Sequence, residues 1–482
     1  MALSDAHILE QNPWWVDASW RSVDPHLQLL DSQPMRFPTE LVAELDLDMP
    51  GVHVLRGPRQ VGKSTDLKLL IARALDGGHD ARSVIYLTLD LIEDQPHAEL
   101  AATVKRAKTL ARSQSASLIL LDEVTAVPRW QTAVKAVWDD GTVRGDVLVC
   151  TGSSAVDLQQ GAVERLPGRR GAGSDHLVLP QTFGSFARSV AGTVPSSPKL
   201  TVADLMSAAG RDMLRDAQVH LPALDDALER YVKFGGLPAA VAEAVAGEPE
   251  PTDRSKRVLH DSLLREVQRK GASVPAANAL LERVVRSLGS KTNWSTMARE
   301  MDVPLGSRRV AKTSHHTLRN YIELLAGGYF LFIVYFVRAG SATNNLTNDK
   351  KVFFADPLLH NITLDHVPGL TPDIPALIEN AIGLALYRAY ESAERLVETF
   401  VAPDNLHIWQ TARGGEVDFA AGPGRALDLV EVKYQSNVKR QVGSATARAQ
   451  PGRPAVVATK DQLDFHDHYA LVPASMLLWA LG

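Results

Sequence analysis

The chain has 482 residues, 45% of them hydrophobic and 22% charged, with a formal net charge of -5. That length exceeds a single hydrophobic core and leads to an expectation of roughly three or four domains. The negative balance excludes a global positive field, so any nucleic-acid contact has to come from local basic patches.

The first stretch, MALSDAHILEQNPWW, carries early charges and no apolar signal core, so a cytoplasmic protein is expected. Within it, Asn12-Pro13-Trp14-Trp15 admits two readings. The aromatic faces could lie beside an adenine, or, as preferred, they anchor the terminal segment to the core. From His53 to about Phe186, the runs VHVLRG, SVIYLTLD, SLILLDEV, DVLVCTGS and HLVLP alternate with helical segments such as KSTDLKLLIARALD and RWQTAVKAVWDD. The alternation predicts a doubly wound α/β domain with a parallel sheet. Cys150, the lone cysteine, excludes an internal disulfide and reads as a buried thiol in a reducing compartment.

Gly57-Pro58-Arg59-Gln60-Val61-Gly62-Lys63-Ser64, with Thr65 next, satisfies G-x-x-x-x-G-K-[ST] between a strand and a helix. Its glycines let backbone N–H groups curl around phosphate oxygens, aided by the helix amino terminus. ATP and Mg²⁺ are the expected cofactors: Lys63 reaches the β/γ-phosphates and the Ser64 hydroxyl takes the metal. Leu118-Ile119-Leu120-Leu121 then delivers Asp122-Glu123 to a strand end, Asp122 for the Mg²⁺ sphere and Glu123 to polarise the attacking water. A DE pair that merely caps the following helix is the bland alternative. VLVCTGSSA ends in Thr151 and Ser153, hydroxyls placed to sense a γ-phosphate, whereas Ser154 reads as a helix cap. The loop LPGRRGAG offers Arg169 and Arg170, either to neutralise transition-state charge or as a solvated basic loop.

NPWW, GPRQVGKST, LILLDEVTAVPRWQTAVKAVWDDG, VCTGSSA, the GRR loop with LPQTFGSFA, and YVKFGGLPAAV occur in this order. Together they resemble the prokaryotic AAA-like P-loop ATPases that carry an uncharacterised C-terminal domain. The resemblance implies Walker A residues Lys63 and Ser64, Walker B residues Asp122 and Glu123, a sensor at Ser153 and a loop arginine at Arg169. It also implies a helical lid and then a winged-helix-like module.

Linker signals at GTVPSSPKL and EPEPTDRS place a helical lid over 191–255, after an ATPase domain over 1–190 that includes the amino-terminal segment. A winged-helix-like module is expected over 256–350, with a helix starting near Ser314, an apolar strand, a polar wing and the returning strand KVFFAD. Arg308, Arg309, Lys312, His315, His316 and Arg319 would then face DNA, while Leu318, Tyr321, Ile322, Leu324 and Leu325 mark the same helix as a core element. The apolar stretch AGGYFLFIVYFV is too short to span a bilayer as a helix, and no membrane partner is expected.

The last segment, 351–482, holds GGEVDFAAGPGRALDLVEVKYQ. Gly414-Gly415 predicts a hairpin, and the next strand sets Glu431 and Lys433 on one face. Asp418 on the adjacent strand can approach Glu431, and with Glu379 from the helix ALIENAIGLALYRAY these carboxylates could clamp Mg²⁺. Lys433 would position water and offset phosphate charge. Asp418, Glu431, Lys433 and Glu379 resemble the PD-(D/E)xK restriction-endonuclease-like superfamily, with Val417 where that pattern has proline. The resemblance implies an α/β nuclease-like domain with Asp418, Glu431 and Lys433 as its catalytic residues. Lys439, Arg440, Arg448 and Arg453 form a basic run suited to a phosphate backbone or to a solvated face. Two functions compete: an ATPase coupled to a DNA-directed, nucleolytic C-terminal half, or an ATP-dependent switch with a protein partner and an inert nuclease-like scaffold. An oligomer is compatible with both, and ATP-coupled transport lacks a membrane element.

Overall fold

The computed structural model describes residues 3–33, 40–92, 95–113, 115–152, 171–269, 271–300, 304–305, 309–310, 315–338, 349–391, 403–411, 414–424 and 426–482. It divides into two compact units, Met1–Leu179 and Pro180–Gly482.

In the first unit the five apolar runs become strands β1 (Gly51–Arg56), β2 (Val84–Thr88), β3 (Leu118–Asp122), β4 (Val147–Gly152) and β5 (Asp175–Leu177). They form one sheet in the order β2-β3-β4-β1-β5, and every pairing is parallel. β1, β3 and β4 are buried along their full length, as unbroken apolar sequence requires when helices cover both faces. Those helices include Lys63–Asp76, His97–Ala111 and Trp130–Asp139. Because β4 lies between β1 and β3, the carboxyl ends of these three strands stand side by side, where ligands bind in sheets of this kind.

β2 is an edge strand, and the amino-terminal segment covers it with side chains instead of a further strand. Asn12 is fully buried. Its amide nitrogen donates to the Tyr86 carbonyl at 2.9 Å, and its oxygen accepts from the Tyr86 N–H at 2.7 Å. The indole N–H groups of Trp14 and Trp15 both donate to the Val84 carbonyl at 2.9 Å, and the Gln11 carbonyl oxygen accepts from the Thr88 N–H at 2.9 Å. The paired tryptophans are therefore an anchor that closes a sheet edge.

The second unit opens with helices that include Phe183–Ala191, Ala208–Ala217, Leu221–Phe234 and Pro238–Val245. Phe183 and Phe186 stand edge-on to Tyr231, with ring centres 5.6 and 5.3 Å apart. This contact ties Phe183–Ala191 to the helix Leu221–Phe234.

A two-residue antiparallel pair follows, β6 (Pro304–Leu305) with β7 (Arg309–Val310). Eight further strands make the main sheet: β8 (Leu331–Arg338), β9 (Lys350–Phe354), β10 (Leu406–Gln410), β11 (Glu416–Ala421), β12 (Asp428–Val432), β13 (Ala455–Thr459), β14 (Asp464–Phe465) and β15 (Ala470–Pro473). Their order is β14-β15-β13-β12-β11-β10-β8-β9. The strands expected to flank a wing, β8 and β9, pair antiparallel but belong to this sheet, since β8 also pairs with β10. Seven consecutive buried residues in β8 need cover on both faces, which a solvated wing does not give. The Gly414-Gly415 hairpin forms as expected between β10 and β11, with Gly414 at φ 84°.

Asn12→Ala removes the partners of both Tyr86 backbone groups. It should cost the full-length protein about 2 kcal/mol, read as a fall in the thermal midpoint; an unchanged midpoint would show that the edge does not need this cover.

Candidate functional site

The loop after β1 has the backbone its sequence demands. Gly57 lies at φ 151°, Gln60 at φ 69° and Gly62 at φ 97°. A Cβ at Gly57 would stand 1.9 Å from the Val178 carbonyl oxygen, so no other residue fits there. Gly62 caps the helix Lys63–Asp76, which puts Lys63, Ser64 and Thr65 in its first turn, at the positive end of the helix dipole. Pro58 is buried, Gln60 is exposed, and Arg59 is half-buried with its Nε unbonded. Val61 packs inward.

Lys63 is buried, and its ammonium donates to the carbonyls of Gly57 at 2.9 Å and Pro58 at 2.8 Å. Burial pushes its amine down to about 8, against the opposing charges of Glu123 and Asp122. The amine thus lies in the mouth of the loop, held by weak neutral acceptors that phosphate oxygens can replace.

Asp122, at the end of β3, is buried with both oxygens engaged. One accepts from the Tyr86 hydroxyl at 2.9 Å. The other accepts from the Thr151 hydroxyl and from the Glu123 N–H at 3.1 Å. Burial, the Asp122 charge and this bond raise the Tyr86 phenol, which therefore stays a donor. Lys68 lies 3.7 Å over the Tyr86 ring and 3.4 Å from Asp24. Glu123 leaves the strand in a left-handed conformation, φ 52°, with its N–H also donating to the Thr151 hydroxyl at 3.2 Å. Thr151 corrects the sequence expectation: its hydroxyl is spent on the acidic doublet, because β4 runs directly between β3 and the loop. Tyr86 is a positioning residue that sequence reasoning missed, and one more tyrosine in a buried strand gives no signal of it. Ser153, Ser154, Arg169 and Arg170 lie outside the described residues.

In the second unit, β11 and β12 run antiparallel with Phe419 opposite Val430, which brings Asp418 level with Glu431 as expected. Glu379 comes from the helix Ile374–Tyr390. Beside its carboxylate, Gly289 sits at φ 70°, and a Cβ there would come within 2.8 Å of a Glu379 oxygen. The sequence expects a metal among Glu379, Asp418 and Glu431; the structure places lysines there. Lys351 of β9, 2% exposed, lies 2.8 Å from Glu379, 2.7 Å from Glu416 and 3.3 Å from Asp418. The other Asp418 oxygen accepts from the Val432 N–H at 2.8 Å. Lys433 pairs with Glu431 at 2.5 Å. Among the described residues no group of three or more His, Cys, Asp or Glu side chains is placed to hold a metal ion.

The charges explain the titration behaviour. Burial alone would lower the Lys351 amine, but the charges of Glu379 and Asp418 and its bonds to Glu379 and Glu416 raise it above an ordinary lysine. Three carboxylates around one ammonium leave two negative charges in excess, so burial and the Asp418 charge raise the Glu379 carboxyl to about 7. Glu431 is raised by burial and by Asp418. Neighbouring Lys350 takes the other face of β9, 3.7 Å over the Trp294 ring, and burial lowers it to about 7. The sequence signal for Lys351 was the pair Lys350-Lys351 opening an otherwise apolar strand.

Of the residues expected at DNA, His315 and His316 lie ring to ring at 4.2 Å, and Arg319 pairs with Glu323 at 2.6 Å. Arg308 and Lys312 lie outside the described residues. Arg453 is committed to Asp428 at 2.6 Å, whereas Lys439, Arg440 and Arg448 are exposed.

Residues 50–187 match the family model of an AAA domain, and residues 225–366 match a domain of unknown function, DUF8612. No curated protein matches the chain in sequence. Among solved structures, the Aeropyrum pernix ORC2 protein in ADPNP–ADP complexes is 12% identical over 66% of this chain and 89% of its own, with a TM-score of 0.33. The Aeropyrum pernix ORC1 protein in complex with DNA is 16% identical over 68% and 89%, at 0.29. Drosophila ORC bound to DNA is 13% identical over 76% and 94%, at 0.23. Residues 50–187 are an AAA-type P-loop ATPase domain, and no described helix is long and apolar enough to cross a membrane.

A free Lys63 amine that is lowered to about 8 is charged below that pH and neutral above it, and phosphate oxygens restore its charge. ATP binding at a pH of about 8.5 should therefore take up a proton, with little uptake at about 7. Calorimetry in two buffers of different ionisation enthalpy checks this; equal heats at the higher pH would remove Lys63 from the phosphate contact.

Proposed function

We propose that the chain is a Mg²⁺-dependent ATPase whose nucleotide cycle governs a DNA-directed second unit. The observation that carries the ATPase reading is the buried Asp122 carboxylate, held on both oxygens beside a complete phosphate loop. Ser64, in the first helical turn, and Asp122 are an oxygen donor pair suited to a hard cation, and they would hold Mg²⁺ there. When bound, Mg²⁺ supplies charge neutralisation on the phosphate oxygens. Lys63 exchanges its two carbonyl acceptors for the β/γ-phosphates. Glu123, turned off the strand beside Asp122, holds and polarises the attacking water. Tyr86 and Thr151 keep Asp122 aimed. Ser153 is proposed as the γ-phosphate sensor and Arg169 as the charge-neutralising arginine, both on the family resemblance.

The helical lid of the second unit and its restriction-endonuclease-like sheet are proposed on the family resemblances. Supporting a nuclease-like core is the order of helix Ile374–Tyr390, β10, β11, β12, helix Arg440–Ala449 and β13, with Asp418, Glu431 and Lys433 on or at the ends of its central strands. Exposed Lys439, Arg440 and Arg448 suit a phosphate backbone. A second reading is favoured by one observation, the Lys351 ammonium against Glu379 and Asp418. In that reading the nuclease-like sheet does not cut, and the nucleotide cycle reorganises the chain for a protein partner.

ATP turnover measured with and without duplex and single-stranded DNA tests the proposal, with the same DNA run on gels. DNA should raise turnover. Lys63→Ala should lose ATP binding, and Glu123→Gln should keep it while turnover falls by about a hundredfold or more. Wild-type turnover in Glu123→Gln would reassign the base. Turnover indifferent to both DNA forms would favour the protein-partner reading.

A further inference from the structure

We infer that Lys351 is the resident cation of the acidic cluster in the second unit, and that its ammonium holds the place a divalent metal would need. This deepens the second reading above and does not depend on the ATPase.

The cluster draws four side chains from three elements: Lys351 from β9, Glu379 from the helix Ile374–Tyr390, and Glu416 and Asp418 from β11. Surface ion pairs do not look like this. Lys351 is 2% exposed and contacts all three carboxylates within 3.3 Å. An ammonium offers three donors, and three acceptors satisfy it fully. Asp418, the carboxylate best placed to bridge toward Glu431, has neither oxygen free of the chain's own donors. Lys351 takes one and the Val432 N–H takes the other. Glu431 in turn is paired with Lys433.

A divalent ion needs oxygen ligands at about 2.0–2.6 Å, gathered around one point. At this point there is already a positive nitrogen with contacts of 2.7–3.3 Å. The residues present therefore do not fit a metal while Lys351 stays. Moving the amine away would strand it in a buried setting, since its stem is enclosed and breaking a buried pair leaves an uncompensated charge. The arrangement supplies a fixed positive charge where a metal site would hold a dissociable ion.

The test is a gain of binding. Mn²⁺ binding to nucleotide-free, full-length protein is followed by the loss of the free-ion signal in electron paramagnetic resonance. Lys351→Met keeps the aliphatic stem and removes the ammonium, and it should bind Mn²⁺ at least about tenfold more tightly than wild type. Lys351→Met combined with Asp418→Asn should lose that gain. Lys351→Arg, which keeps the charge, should bind like wild type. Two results would overturn the inference: wild type binding Mn²⁺ through Asp418 as tightly as Lys351→Met, or a folded Lys351→Met that gains nothing. If Lys351→Met does not fold alone, recovery of its circular dichroism with Mn²⁺, but not with sodium at equal ionic strength, supports the assignment; no recovery counts against it. None of these readings uses ATP, so a failed ATPase assignment leaves them intact.

Discussion

A carboxylate that leaves water needs donors for its oxygens, and both acidic centres of this protein are organised by that requirement. Asp122 is buried at the end of a parallel strand and receives the Tyr86 and Thr151 hydroxyls and the Glu123 N–H. Asp418 is half-buried and receives the Val432 N–H and the Lys351 ammonium. The difference lies in what the donors are. Around Asp122 they are neutral groups that orient the carboxylate, and the nearby cations Lys63 and Lys68 act on its charge without bonding to its oxygens. Around Asp418 one donor is itself a cation, and part of the cluster's charge is met inside the fold.

The sheet topology makes the first arrangement possible. With β4 between β1 and β3, Thr151 can reach the Asp122 carboxylate and the backbone of Glu123, while the loop after β1 opens on the same edge. β2 carries Tyr86 to the other oxygen of Asp122, and β2 is an edge strand whose backbone is tied down by Asn12, Gln11, Trp14 and Trp15. The amino-terminal anchor thus bears on the acidic doublet through one strand. Asn12 holds the N–H and carbonyl of the very residue whose hydroxyl holds Asp122.

Most of the first unit was legible in the sequence because its signals are local. Five apolar runs gave five parallel strands, and the glycine pattern needs left-handed backbone within eight consecutive residues. The hairpin at Gly414-Gly415 and the closeness of Asp418 to Glu431 were legible for the same reason: strand alternation and one tight turn fix them. What escaped was long-range. Tyr86 and Asp122 are 36 residues apart, and Lys351 and Asp418 are 67 apart. No period or spacing joins such pairs; only the pairing of strands does. The apolar run of β8 misled in another way, since it fits a wing strand and a central sheet strand equally well until its neighbour β10 is known.

A tethered ammonium and a bound metal balance the same carboxylates but differ in what they respond to. A site filled by a dissociable ion gains stability with the logarithm of ion concentration and weakens when the ion is withdrawn. Lys351 cannot dissociate, so the stability it confers on the cluster is independent of free Mg²⁺. The phosphate loop has the opposite character: Lys63 rests on two neutral carbonyls and is held below its ordinary basicity by burial. Its charge is stabilised when phosphate arrives. One centre is therefore poised to change with its ligand, and the other is held constant by the chain. That contrast favours a division of labour in which the response to nucleotide resides in the first unit and the acidic cluster of the second serves as fixed structure.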